Sequence, residues 1–159
     1  MILQLGVTGE GDALGECIRD PAYEVLATRY NLTSEWRARR LLREAAQAGM
    51  TAIGYDVAPR ALVKPPEKAP LLRKQKQEAL AGVGTYAFLH ETPRWSPEEL
   101  CLAYALTEPS LATLQIDLSL AGQLEALAAV PERDPPTALG AQVEMARFSG
   151  ETPGERKPA

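Results

Sequence analysis

The chain lacks most of what a self-contained metal or nucleophile site is built from. Its 159 residues include one histidine, His90, and two cysteines, Cys17 and Cys101. No CxxC pair and no histidine cluster is present, which excludes a zinc site of the usual ligand spacing. The cysteines lie far apart in apolar, helix-like surroundings, so each is expected as a small buried hydrophobe and not as a bridge or ligand. No apolar run approaches the ~18 residues of a membrane span. The N-terminal stretch Met1–Val7 has no basic leader and is too short for a signal sequence, so the cytoplasm is the expected compartment. Positive charge is not in excess either. A formal net charge of −4 excludes a general nucleic-acid binder, whose domains are usually basic. The length allows one core plus tails.

What is present is a repeating strand–helix rhythm. The first β-type run is Ile2–Val7; Thr8-Gly9-Glu10-Gly11 then turns into a helix capped by Asp12 and running to Asp20-Pro21. The second run is Tyr23–Thr28. Ser34 is placed to cap a long helix over 35–48, with apolar positions Trp36, Leu41, Leu42, Ala45, Ala46 and Ala48, and Gly49 ends it. The third run is Met50–Tyr55. Asp56 to Ala69, with Pro59, Pro65 and Pro66, reads as a long excursion before a helix over 70–81. Ser96-Pro97-Glu98-Glu99 is a helix start with Ser at the cap, Pro at the first position and Glu three residues on. The fourth run is Leu111–Ile116, and Ser119 opens a helix to about Val130. Beyond Pro131, Pro, Gly and charge dominate. A short docked segment over 145–148 and a disordered tail over 149–159 are expected, which puts the folded domain at 1–148.

Strands alternating with helices imply a parallel sheet with right-handed crossovers. Chemistry in such sheets gathers at the C-terminal strand ends, here Thr8-Gly9, Arg29-Tyr30-Asn31, Tyr55-Asp56 and Asp117-Leu118. Other features read as ordinary surface. Arg37, Arg39, Arg40 and Arg43 are interleaved with Glu35 and Glu44 and form a solvated helix face, as do Arg73, Lys74 and Lys76. His90 lies in a loop with no Ser or Cys at a recognisable spacing, which argues against a general base. Glu10 opposes an anion-binding role for the first turn.

Several segments resemble a known family. Leu5-Gly6-Val7-Thr8-Gly9, Val25 through Leu32 (Val-Leu-Ala-Thr-Arg-Tyr-Asn-Leu) and Ile53-Gly54-Tyr55-Asp56 are similar to the later strands of aldo-keto reductases. Ser96 through Leu106 and Gln123-Leu124-Glu125 are similar to later segments, in the family's order and spacing. The resemblance covers most of residues 1–130 and implies strands five to eight of an eight-stranded (β/α) barrel. The fold expected is therefore a TIM-barrel-like parallel half-barrel of four β/α units.

The family places its catalytic Asp, Tyr, Lys and His on the first four strands, which have no counterpart here. Its second half supplies the NADP(H) site. Tyr55 falls where the family sets an aromatic ring against the nicotinamide, and Thr8-Gly9 stands where a Ser-Asn pair holds the carboxamide. Tyr55 and Thr8 are thus the vestigial cofactor positions, although a barrel-end core aromatic is the favoured reading of Tyr55. The strand Gln is Ala27, a turn Gly is Asp117, the phosphate Arg is Ser119 and the adenine-reading Asn is Leu127. Losing that Arg removes a charge-assisted contact of ~1.5–3 kcal/mol, and Asp117 adds repulsion.

Four parallel strands leave two bare edges and an apolar face that a closed barrel would bury. The expectation is a non-catalytic accessory subunit, with no catalytic residue, metal or cofactor of its own, covered by a protein partner or a second copy. The alternative is half of a split NADP(H)-dependent reductase, active only with its partner chain.

Overall fold

The computed structural model describes residues 3–9, 13–64, 86–118 and 122–150. Four strands, β1 (Gly6–Thr8), β2 (Val25–Arg29), β3 (Thr51–Tyr55) and β4 (Thr113–Leu114), form one open sheet in the order β1-β2-β3-β4. Every neighbouring pair is parallel. Helix α1 (Ala13–Arg19) follows β1 and α2 (Trp36–Gln47) follows β2. Between β3 and β4 lie the short α3 (Arg60–Val63) and α4 (Phe88–Glu91), then α5 (Pro97–Ala105). After β4 come α6 (Gly122–Ala128), a 3₁₀ turn over Val130–Glu132 and α7 (Leu139–Gly150). This is the half-barrel of four β/α units.

Alternation along the strands divides the sheet into two unlike faces. Leu26, Thr28 and Ala52 are buried beneath the helices, together with Gly54. The register places Gly6, Val25 and Thr51 in one row on the other face, Thr8, Ala27, Ile53 and Thr113 in the next, and Arg29 beside Tyr55 at the end. That face is half-exposed to exposed throughout. It was expected to be apolar, and it is not: threonine and small residues predominate. Strand alternation is a rule about faces: it buries Leu26 under the helices and leaves Val25 and Ile53 among the threonines of the open one.

Pairing runs slightly past the strand limits. Glu24 N donates to Leu5 O at 2.8 Å before β1 formally begins. Around the two-residue β4, Ala112 N reaches Ala52 O at 2.9 Å and Gln115 N reaches Gly54 O at 2.7 Å. Gly54 is needed here. A Cβ at that position would stand 2.7 Å from Leu114 Cδ2 and 3.3 Å from both Leu111 methyls, so any larger residue pushes β4 away.

Helix α2 starts one residue later than its hydroxyl suggested. Ser34 Oγ accepts from Asn31 N at 2.9 Å in the turn leaving β2, so Glu35 is the N-cap, with no side-chain cap bond. Its C-terminus follows expectation. Gly49 has φ 78°, its N–H donates to Ala46 O at 3.1 Å and Met50 N donates to Ala45 O at 3.0 Å, a Schellman closure. Leu42 and Ala45 face the core, whereas Trp36 is exposed.

Helix α5 opens on the expected capping box. Glu99 N donates to Ser96 Oγ at 3.2 Å, and Ser96 N donates to Glu99 Oε2 at 2.6 Å. The other oxygen of this buried carboxylate accepts from Arg133 Nη1 at 2.6 Å. Arg133 also donates to Arg94 O at 2.7 Å and stacks 3.8 Å from the Trp95 ring centroid. Leu100 through Ala105 are all buried, which makes α5 the central helix of the core.

Three further expectations change. The excursion after β3 contains the one-turn α3. His90 sits within α4, its Nε2 3.1 Å from Leu62 O. The short docked segment at 145–148 is part of the longer α7, whose last residue is Gly150. Asp12, Ser119, the helix over 70–81 with Arg73, Lys74 and Lys76, and residues 151–159 lie outside the described residues. No described helix is long and apolar enough to cross a membrane. Among the described residues no group of His, Cys, Asp or Glu could hold a metal ion. Cys101 is buried and Cys17 half-buried, both as free thiols.

Candidate functional site

The C-terminal strand ends form one rim. Asn31, fully buried where the chain leaves β2, organises it. Its Nδ2 donates to Asp56 O at 3.0 Å, and its Oδ1 accepts from Thr33 N at 2.9 Å and Thr33 Oγ1 at 2.7 Å. Together with the Tyr30 N to Tyr55 O bond of 3.0 Å, this fixes the end of β3 against the end of β2. Asp56 is held at φ 52°, in the left-handed region. Its carboxylate then meets Arg29, with Nε 3.1 Å from Oδ2.

Tyr55 is half-buried on the open face, directly in register with Arg29. Thr8 is exposed on the same face, one row back, with Ala27, Ile53 and Thr113. The structure therefore brings the two sequence-predicted positions to one face.

Three further positions that the resemblance assigns to a dinucleotide lie among the described residues. Ala27 carries no amide, and Asp117 is an exposed carboxylate just beyond β4. Leu127, on α6, is buried in the core. Arg29, in register with Tyr55, is ion-paired with Asp56. His90 is engaged elsewhere, its Nε2 3.1 Å from Leu62 O on α3.

A second polar cluster, missed in the sequence, lies among α2, α5 and α7. Arg147 donates to Leu32 O through Nε at 3.0 Å and Nη2 at 2.9 Å, and Nη2 also reaches Tyr104 Oη at 2.8 Å. Arg147 Nη1 donates to Glu144 Oε1 at 2.9 Å. Arg39 donates to Tyr104 Oη and lies 3.5 Å from Glu144 Oε1. Tyr30 stacks on Tyr104, 6.4 Å between centroids at 8°, and donates to Glu108 Oε2 at 3.2 Å. Burial, reinforced by Tyr104, pushes the Tyr30 phenol well above its ordinary range. Burial alone would lower Arg39, but the Tyr104 and Tyr30 hydroxyls outweigh it and hold the guanidinium above its usual range. Arg39 thus leaves the solvated face expected of the α2 arginines. Arg37 and Arg40 remain there, flanking Trp36 at 5.7 and 5.4 Å from its ring centroid. The cluster is a structural clasp for α7. The available signal was Tyr30 beside Asn31, but Tyr104 and Arg147 join it only through the fold.

A depression of about 600 Å³ lies between α1 and α2 and reaches the rim at Arg29 and Thr33. Its arginines Arg19, Arg29, Arg37 and Arg40 are mixed with Glu35 and Glu44; Arg40 already pairs with Glu44 at 3.2 Å and Arg29 with Asp56 at 3.1 Å.

No protein-family model and no curated protein sequence matches the chain. Solved structures do. An aldo-keto reductase from Bacillus halodurans in its holo form superposes with a TM-score of 0.59 at 19% identity, over 86% of this chain and 44% of that one. The glycerol dehydrogenase from Gluconobacter oxydans gives 0.68 at 14% identity, over 98% of this chain and 52% of that one. A thermostable aldo-keto reductase in complex with the inhibitor epalrestat gives 0.53 at 16%, over 91% and 47%. This chain spans about half the length of each structure it matches. Its fold is a partial aldo-keto reductase fold, one half of the barrel.

Proposed function

We propose that this chain is a non-catalytic interaction subunit with an aldo-keto reductase-like half-barrel fold, associating through its open sheet edges. The observation that carries this reading is the exposed sheet face bounded by β1 and β4, neither of which has a further strand among the described residues. Bare edges of a parallel sheet are association sites, and parallel sheets are ordinarily covered on both faces. The Arg29–Asp56 pair beside Tyr55, Ala27 and the buried Leu127 support the absence of a cofactor role. A fluorescence titration of the chain with NADPH tests this. No saturation is expected through the micromolar range, whereas a micromolar dissociation constant overturns the reading.

A second reading is the C-terminal half of a split NADP(H)-dependent reductase. Tyr55 and Thr8 on one face favour it. It requires that the chain, mixed with a polypeptide supplying the complementary half, reduce aldehydes with NADPH. The interaction-subunit reading requires that the mixture remain inactive.

A further inference from the structure

We infer that the partner covering the open edges is a second copy of this chain, related by a two-fold axis parallel to the strands. The inference rests on the interaction-subunit reading and names its partner. All strand pairs run parallel, in sequential order. Rotation by 180° about an axis along the strands preserves their direction. It brings β4 of one copy beside β1 of the other, and the reverse at the opposite junction. Each junction then repeats the relation already present within the chain, a strand followed by the next parallel strand. The contact is isologous and closes, leaving no edge.

Size, apolar surface and charge agree. Each of these three solved structures is about twice the aligned length, the size that two copies of this chain would reach together. Large aliphatic side chains stand in the open at both edges: Leu3 at 79% and Leu5 at 49% exposure before β1, Ile116 at 37% and Leu118 at 43% after β4. The helix following β4 adds Leu124 at 56%. Exposed large aliphatics at both edges mark a contact surface. The open face carries no charge in its Gly6–Val25–Thr51 and Thr8–Ala27–Ile53–Thr113 rows. Arg29 lies at the rim and is ion-paired with Asp56. In a chain of net charge −4, a neutral face is the one that meets its own copy without burying an unpaired charge.

Light scattering on the eluting full-length chain tests the inference, alongside Leu5→Lys and Ile116→Lys variants checked for native far-UV circular dichroism. The wild type is expected at twice the 17.2 kDa chain mass. Either substitution is expected to raise the dimer dissociation constant at least tenfold. A wild-type monomer at 100 µM overturns the inference, and so does a dimer that both variants leave intact. Should Leu5→Lys prevent folding, Ile116→Lys decides alone. If it too fails to fold, amide exchange of the wild type on dilution decides: residues 5–8 and 112–115 are expected to lose protection together, and protection that does not change with concentration overturns the inference. A chain that is monomeric alone but captures a separate complementary half-barrel refutes the second copy while sparing the interaction-subunit reading. A monomer that captures neither refutes both.

Discussion

Arg29 and Asp56 face each other across the ends of β2 and β3, Nε 3.1 Å from Oδ2, beside the ring of Tyr55. The pair is partly exposed at both ends, so its own worth is small, ~0.2–1 kcal/mol. What holds Asp56 in place is Asn31, whose amide bonds to the Asp56 carbonyl and whose carbonyl caps the turn at Thr33.

The two residues therefore differ sharply in expected cost. Asp56→Gly loses the ion pair but relieves a left-handed φ, and its net effect on urea-denaturation stability is expected within about 1 kcal/mol. Asn31→Ala leaves a buried carbonyl without its donor and is expected to cost ~1–3 kcal/mol. Equal losses for the two variants contradict this account of the rim.

The α7 clasp gives a second prediction. Leu32 O accepts two bonds from Arg147 and a longer one, 3.4 Å, from Tyr86 Oη. Arg147→Ala is expected to destabilise by ~1.5–3 kcal/mol, with Arg147→Lys losing less, because charged donors are worth more than neutral ones but lysine lacks the planar fork. Amide exchange in residues 139–147 should accelerate more than in α5. Unchanged protection of α7 contradicts the clasp.

Much of this fold was legible in the sequence, for reasons particular elements make plain. Ser96-Pro97-Glu98-Glu99 and Gly49 are local signals whose partners lie within four residues, and both behave as local chemistry dictates. Ser34 misled because two backbone turns compete for one hydroxyl, and Asn31 N captured it. Arg39 and Trp36 exchanged their expected places, since the cluster that recruits Arg39 is built from Tyr104 and Glu144, 65 and 105 residues away. At the rim, Thr8 and Tyr55 could be placed at strand ends but not on one face until the register was known, and Thr8, read as turn, is the last residue of β1. Arg29 beside Tyr55 is likewise a product of pairing.

Alkaline pH supplies a third prediction. Burial, with Glu98 nearby, pushes the Cys101 thiol from an ordinary 9.0 up to about 12, and burial also raises the Tyr30 and Tyr86 phenols above 10.0. Each of these acids stays protonated in the folded chain after its unfolded counterpart has ionised. The unfolded state then binds fewer protons, so stability falls as pH rises. The contribution is intact below about pH 9 and is lost progressively above it. Urea midpoints should accordingly be level between pH 7 and 8.5 and drop by pH 10.5, and Cys101→Ala should reduce that drop. A midpoint that climbs over the same interval contradicts the assignment.

Amide hydrogen exchange across a dilution series tests the central claim, that this is a half-barrel whose two edges are covered by association. Residues 5–8 and 112–115 are expected to be protected at high concentration and to lose protection on dilution, while Val25–Arg29 and Thr51–Tyr55 stay protected throughout. Edges that exchange freely at every concentration, beside protected central strands, would contradict it.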